Sequence, residues 1–298
     1  MNTASPGNTP NKAILDVRNL SVSYQSQRGR INAINNVSFT LGCEKVGIVG
    51  ESGSGKSTLG RTIMGVLPES AHTDGQILFN DENLLTLPER RMREIRGGGI
   101  SMIMQDPKFS LNPVMRVGDQ ISEAFLAHSH SDKTLAKKQS LELMESVRIR
   151  NPERVYRLYP HEISGGMGQR IMIAMMLVAG PKLVIADEPT SALDVTVRME
   201  VLSVLDEMVS RRHVGLLFIS HDLNLVAKFC DRVLIMYAGC IVDACRSSEL
   251  SNSQHPYTQG LLASVPNIKL EQPELETMPG APPDLVTPPP GCVFHPRC

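Results

Sequence analysis

The first 65 residues change from an alternating to a clustered pattern of apolar positions. Apolar and polar residues alternate along residues 14–24 and 33–41, with a polar stretch at 25–30 between them. This pattern predicts two strands joined by a hairpin. From Val46 the chain becomes a short apolar strand, a glycine-rich turn and a helical pattern. The change predicts a strand-loop-helix unit after the hairpin.

The second half repeats the combination of a short apolar strand and a following helix. Residues 183–186 and 215–219 are compact apolar runs, each followed by polar residues and a helical pattern. Such alternation predicts a mainly parallel sheet flanked by helices. Between the halves, residues 112–163 have a helical pattern with polar breaks, which indicates an inserted helical subdomain.

The expected organisation is therefore an α/β core in two parts, with an antiparallel β subdomain from the hairpin. We expect a loose tail at 1–12, the first part of the core at 13–111 and the helical subdomain at 112–163. The second part of the core follows at 164–250. A proline-rich C-terminal extension occupies 251–298.

Composition narrows the class of protein. The 298 residues are 41% hydrophobic, too apolar for a disordered chain, and 30 Lys+Arg balance 31 Asp+Glu. Balanced charge gives no overall basic field, so we expect no nucleic-acid partner. No apolar run approaches the roughly 20 residues of a bilayer span, and the N-terminus lacks the pattern of a secretion signal. We expect a chain that stays in the cytosol.

A phosphate-binding motif follows the strand that begins at Val46. The run fits the pattern of two glycines separated by four residues and followed by Lys and Ser. It comprises Gly50, Glu51, Ser52, Gly53, Ser54, Gly55, Lys56 and Ser57, with Thr58 next in the helix. Glycines let successive backbone N–H groups surround phosphate oxygens. Lys56 is expected to reach the β- and γ-phosphates, and the Ser57 hydroxyl to bind Mg²⁺. The alternative is a glycine-rich turn that carries a lysine by coincidence.

Two acids at the end of the strand 183–186 add to this motif. Asp187 is placed to help hold Mg²⁺ beside the phosphate loop. Glu188, the next residue, is placed to polarise a water that attacks the γ-phosphate. An isolated strand with an acidic end would more simply be an ordinary core strand.

Together these motifs resemble those of the ATP-binding-cassette (ABC) family over nearly the whole chain. Ser164, Gly165 and Gly166 resemble the start of the family's signature loop. Further motifs in the expected order are Gln105 at a strand end, residues 191–194 like the D-loop, and His221 like the switch histidine. Tyr24 stands where the family has an aromatic that stacks on adenine. Met167 and Cys43 depart from the family pattern, and neither side chain is expected to contact the γ-phosphate.

The resemblance implies a P-loop ATPase that works as a dimer with two ATP molecules between the subunits. Glu188 would be the general base, and His221 would bind the γ-phosphate. Gln105 would approach the Mg²⁺ ion and the attacking water. Ser164, Gly165 and Gly166 of one subunit would contact the γ-phosphate held by Lys56 of the other.

Four further segments resemble the ATPase subunits of dipeptide and oligopeptide importers, a branch that includes nickel importers. They are residues 105–113, 159–163, 255–258 and 291–298. The resemblance implies two transmembrane permease subunits and a second ATPase chain, different or identical. It also implies a substrate-binding protein outside the cytoplasm, as an indirect partner. The chain would then lie on the cytoplasmic side of the membrane.

Cys292 and Cys298 lie at positions where some members of this branch ligate a [4Fe–4S] cluster. A full cluster needs four thiolates, so two tail cysteines favour free thiols unless a longer tail adds more. Two other functions stay open at this point. A nickel or other small-solute importer would use the same motifs, and a soluble ABC ATPase outside transport is a further alternative. A nucleotide-gated scaffold without turnover is disfavoured by Glu188 and His221.

Overall fold

The computed structural model describes residues 13–105, 110–191, 193–264 and 278–298. The expected tail at 1–12 lies outside them. Four of the strands form an antiparallel sheet in the order β2-β1-β4-β5. They are β1 (Leu15–Ser26), β2 (Gly29–Leu41), β4 (Ala71–Phe79) and β5 (Glu82–Asn83).

The hairpin between β1 and β2 is tighter than the polar stretch at 25–30 predicted. Gln25 pairs with Arg30, and Ser26 pairs with Gly29. The Ser26 hydroxyl also donates a hydrogen bond to the Gly29 carbonyl at 2.7 Å. Backbone pairing continues because polar side chains at a solvent-facing hairpin end do not interrupt the ladder.

The larger sheet has six strands in the order β10-β9-β3-β8-β7-β6. They are β3 (Lys45–Val49), β6 (Ile100–Ile103), β7 (Leu183–Asp187), β8 (Gly215–Ser220), β9 (Arg232–Tyr237) and β10 (Cys240–Arg246). Every neighbouring pair is parallel except β10 with β9. This sheet, the antiparallel sheet and their helices confirm the predicted fold class.

Both faces of the larger sheet are buried, each in a different part of the core. Along β8, Leu217 and Ile219 pack toward the antiparallel sheet, whereas Leu216 and Phe218 pack toward the helices. Successive side chains of a strand point to opposite faces. The continuous apolar runs that predicted these strands therefore reflect burial on both faces.

Nine α-helices of at least five residues occur among the described residues. They are α1 (Lys56–Ile63), α2 (Glu89–Ile95), α3 (Val117–Leu126), α4 (Lys133–Ser146), α5 (Pro152–Tyr156), α6 (Gly165–Leu177), α7 (Val195–Arg212), α8 (Leu223–Phe229) and α9 (Pro256–Ala263). None of the helices in these segments has the length and apolar character needed to cross a bilayer.

The helical stretch between β6 and α6 contains α3, α4 and α5. The Asp132 side chain caps α4 by accepting a hydrogen bond from the Leu135 N–H at 2.8 Å. Inside the group, the Ser122 hydroxyl lies 2.8 Å from both the Ser140 and the Tyr156 hydroxyls. Buried hydroxyls that satisfy one another join the three helices, and none of these three hydroxyls is left unpaired.

Candidate functional site

Four sequence motifs meet at one edge of the larger sheet. Strands β3, β8, β7 and β6 are adjacent and parallel, so their carboxyl ends lie on the same side. Gly50, His221 and Glu188 directly follow β3, β8 and β7, and Gln105 comes two residues after the end of β6. In open α/β sheets, ligands bind outside these carboxyl ends.

The loop between β3 and α1 has a backbone geometry that glycine adopts readily. Gly53 and Gly55 have φ angles of 79° and 102°, a left-handed region that other residues seldom adopt. Gly55 stands at the N-cap of α1 and supplies no side-chain cap. The first N–H groups of α1, together with the positive end of its dipole, are therefore suited to an anionic phosphate.

Lys56 lies almost buried inside this loop. Its Nζ donates hydrogen bonds to the carbonyls of Gly50 at 2.7 Å and Glu51 at 2.8 Å. Burial lowers the pKa of the Lys56 ammonium, while the negative charges of Glu188, Asp187 and Glu51 oppose that effect. A buried ammonium held by carbonyls in this way is suited to a phosphate oxygen.

Ser57 and Asp187 form a second contact of the site. The Ser57 hydroxyl donates a hydrogen bond to Asp187 Oδ1 at 2.9 Å. Asp187 is 8% exposed, and burial raises the pKa of its carboxyl although the Ser57 bond lowers it. A buried carboxylate beside a hydroxyl offers the hard oxygen ligands that Mg²⁺ prefers. The residues present therefore fit a magnesium ion.

Glu188 and His221 meet beside this pair. His221 Nδ1 lies 3.2 Å from Glu188 Oε1, within hydrogen-bonding distance. The Glu188 backbone has φ 47°, and its N–H donates to the Ile219 carbonyl at 2.9 Å. This bond to β8 and the left-handed backbone fix where the Glu188 carboxylate leaves the end of β7. Its side chain remains 23% exposed, so water has access to it.

The other residues predicted for the site lie at its margins or on the surface. Gln105 is exposed two residues after the end of β6, and Tyr24 is half-buried against the core between the two sheets. Ser164 is exposed at the start of α6, where its hydroxyl accepts a hydrogen bond from the Met167 N–H at 3.3 Å. Gly165 follows it on the surface and Gly166 is half-buried. Their roles toward a nucleotide remain predictions.

Two side chains that the sequence did not assign to the site, those of Tyr257 and Arg297, contact the phosphate loop. The Glu51 N–H donates a hydrogen bond to the Tyr257 hydroxyl at 3.0 Å. Arg297 Nη1 donates to both carboxylate oxygens of Glu51, at 3.2 and 3.0 Å, and to the Tyr237 hydroxyl at 3.2 Å. In the sequence, the segment 291–298 was singled out for its cysteines. Arg297, which lies between them, was the residue that could have indicated this contact.

Cys292 and Cys298 are both exposed. Within the described ranges, no three His, Cys, Asp or Glu side chains gather as a group that could hold a metal ion. These residues therefore do not fit an iron–sulfur cluster, which needs four ligands.

Two family models match the chain. The model described as ABC transporter covers residues 34–191, and the model described as oligopeptide/dipeptide transporter, C-terminal region, covers residues 246–298. Together they include the phosphate loop, both acids of β7 and the C-terminal extension.

Individual proteins match over nearly the full length. The chain is 47% identical over 289 residues to the dipeptide transport ATP-binding protein DppD of Bacillus subtilis, covering 96% of this chain and 86% of that protein. It is 43% identical over 298 residues to the oligopeptide transport ATP-binding protein OppD of Salmonella typhimurium, covering 99% and 89%.

Solved structures share the fold. The dimeric post-hydrolysis structure of the ATP-binding cassette MJ0796 has a TM-score of 0.70 at 23% identity and covers 78% of this chain and 98% of that one. The structure of cbiO1 from Clostridium perfringens has a TM-score of 0.68 at 26% identity, covering 81% and 92%.

Proposed function

Because the chain belongs to the ABC transporter family, we propose that it is the ATP-hydrolysing subunit that energises a di- or oligopeptide importer. ATP hydrolysis is supported by the residues gathered at the carboxyl edge of the larger sheet. The match of residues 246–298 to the C-terminal region of oligopeptide and dipeptide transporters carries the assignment to peptides.

In the proposed reaction Lys56 and the loop amides bind the phosphates of ATP. Ser57 and Asp187 hold Mg²⁺, which neutralises charge on the phosphates when bound. Glu188 takes a proton from the attacking water. The water oxygen bonds to the γ-phosphorus, and the bond to the β–γ bridging oxygen breaks, so the products are ADP and phosphate.

The remaining site residues are assigned by the same proposal. His221 contacts the γ-phosphate from its place beside Glu188, and Tyr24 stacks on adenine. Gln105 approaches the magnesium ion and the attacking water. Ser164, Gly165 and Gly166 complete the site of a second ATPase subunit, which is consistent with the exposure of Ser164 and Gly165.

The proposed partners are a second ABC ATPase, two transmembrane permeases on the membrane side and, indirectly, a substrate-binding protein. The chain itself is placed peripherally at the cytoplasmic face. Affinity purification from detergent-solubilised membranes tests this arrangement. We expect a second ABC ATPase and two proteins with several membrane spans. Recovery of ribosomal RNA instead would support a soluble ABC ATPase and contradict the proposal.

A [4Fe–4S] cluster at Cys292 and Cys298 stays a hypothesis about a longer tail, because the described residues do not supply its ligands. Iron and acid-labile sulfide are measured on protein purified without oxygen and carrying the full native tail. Absence of both removes the hypothesis.

A further inference from the structure

The phosphate loop contains an acidic residue at a place where a polyanion is to bind. Glu51 follows Gly50 directly, and its carbonyl accepts a hydrogen bond from Lys56 Nζ at 2.8 Å. The Glu51 negative charge acts on Lys56 by raising the pKa of its ammonium. An unpaired carboxylate here would repel a triphosphate and compete with it for the lysine.

The C-terminal strap, defined as residues 278–298, supplies the cation that neutralises Glu51. Arg297 donates to both carboxylate oxygens of Glu51, and its side chain is only 6% exposed. Its Nε donates to the Pro279 carbonyl at 2.8 Å, and its Nη1 also donates to the Tyr237 hydroxyl at 3.2 Å. These bonds fix the guanidinium beside the Glu51 carboxylate, whose side chain is 26% exposed.

The strap is anchored to the core next to this ion pair. Phe294 is 3% exposed and packs against Tyr237 and Tyr257, with ring centroids 5.3 and 5.2 Å apart. Tyr257 is fully buried, and its hydroxyl accepts the Glu51 N–H. The aromatic cluster therefore holds the strap and the Glu51 backbone together.

The middle of the strap reaches the β1–β2 hairpin. The Asn32 N–H donates to the Leu285 carbonyl at 3.1 Å, and Arg28 pairs with Asp284 at 3.1 Å. In the register of β1 and β2, Asn32 lies opposite Ser23, the neighbour of Tyr24. The strap thus connects the hairpin that contains Tyr24 with the phosphate loop.

We propose that Arg297 is a positioning residue for ATP. It neutralises Glu51 and leaves the Lys56 ammonium free for the nucleotide phosphates, so the C-terminal strap sets ATP affinity. This inference rests on the ATP binding of the proposed function. It assigns to the C-terminal extension a role within the nucleotide site.

ATP affinity of the purified full chain tests the proposal, with a fluorescent ATP analogue as the probe. Arg297→Gln is expected to weaken binding about tenfold at low salt and less at high salt, because the loss is electrostatic. Adding Glu51→Gln to Arg297→Gln is expected to recover most of the loss, since no carboxylate then needs neutralising. Arg28→Gln, which removes an exposed contact of the same strap, is the control and should bind as the unaltered chain does.

Three outcomes would overturn the proposal: an Arg297→Gln chain that binds ATP normally, a double variant as weak as the single one, or weakening that salt does not change. Should Arg297→Gln fail to fold, Arg297→Lys keeps the charge and is expected to stay within about threefold of normal affinity. Loss as large as tenfold in the folded lysine variant would show that charge is not the cause. Absence of ATP binding by the unaltered chain would instead contradict the proposed function itself.

Discussion

His221 Nδ1 lies 3.2 Å from Glu188 Oε1, although the two residues follow different strands of the larger sheet. The contact exists because β7 and β8 are adjacent and parallel, so their carboxyl ends coincide. It places the proposed general base beside a ring nitrogen that can bond to it. In the proposed reaction both side chains thereby act at the γ-phosphate.

Replacement of Glu188 by Gln is expected to reduce ATP hydrolysis at least about 100-fold, because the amide cannot accept a proton from water. ATP binding should persist, since Lys56 and the loop amides are unchanged. Phosphate release and binding of a fluorescent ATP analogue measure the two effects separately. Glu207→Gln, which alters a surface acid on α7, is the control and should hydrolyse ATP normally.

Unchanged phosphate release from Glu188→Gln would remove Glu188 as the base. Loss of both binding and hydrolysis would place its role in nucleotide binding instead.

Asp187 is expected to make stability depend on pH in the absence of magnesium. Burial raises the pKa of its carboxyl above the ordinary value of 3.8. Between the two pKa values, the folded chain therefore keeps a proton on Asp187 that the unfolded chain has released. Stability from this group is therefore present below pH 3.8 and is lost as the pH rises through the folded-state pKa.

The Asp187→Asn chain should not lose stability in this way as the pH rises. Without magnesium at neutral pH, we expect its free energy of unfolding to exceed that of the unaltered chain, while hydrolysis fails because an ion ligand is gone. Urea unfolding across the acidic pH range measures the difference. Asp284→Asn, which replaces an exposed carboxylate, serves as the reference. The difference in free energy of unfolding between Asp187→Asn and the unaltered chain should shift in favour of the variant from acid to neutral pH. A shift in the opposite direction would contradict the assignment.

Two glycines of the phosphate loop should respond differently to alanine. A Cβ at Gly50 would lie 1.9 Å from the Met236 carbonyl oxygen, so the backbone of β9 must move. We expect Gly50→Ala to destabilise the fold by more than about 2 kcal/mol. A Cβ at Gly53 would meet nothing within 4 Å, and only its φ of 79° opposes alanine. That exchange should cost about 1 kcal/mol. Urea unfolding of both variants tests the order, and equal losses would contradict it.

The sequence predicted the part of the site that depends on strand order. Apolar runs ending in a glycine loop, in Asp187 and in His221 indicated parallel strands, and parallel strands bring their ends together. The contact between Ser57 and Asp187 follows from that arrangement. The glycine spacing likewise predicted a phosphate-binding loop, in which Gly53 and Gly55 have positive φ angles.

Contacts from the C-terminal extension could not be predicted in the same way. Arg297 approaches Glu51 from the opposite end of the chain, and no periodic pattern determines where an irregular proline-rich segment packs. Tyr257 is a single aromatic on a short helix, and its hydroxyl bond to the Glu51 amide depends on the fold as a whole. The tight hairpin at Ser26 and Gly29 also escaped the pattern, because polarity does not mark where a solvent-facing ladder ends.

Peptide uptake by cells that lack this chain tests the central claim most directly. A labelled tripeptide and labelled nickel are offered to the deletion cells after they receive the unaltered chain, Glu188→Gln or Glu207→Gln. We expect the unaltered chain and Glu207→Gln to restore uptake of the tripeptide, and Glu188→Gln to restore none. Tripeptide uptake that is normal in the deletion cells, or nickel uptake that alone depends on the chain, would contradict a peptide importer driven by ATP hydrolysis at this site.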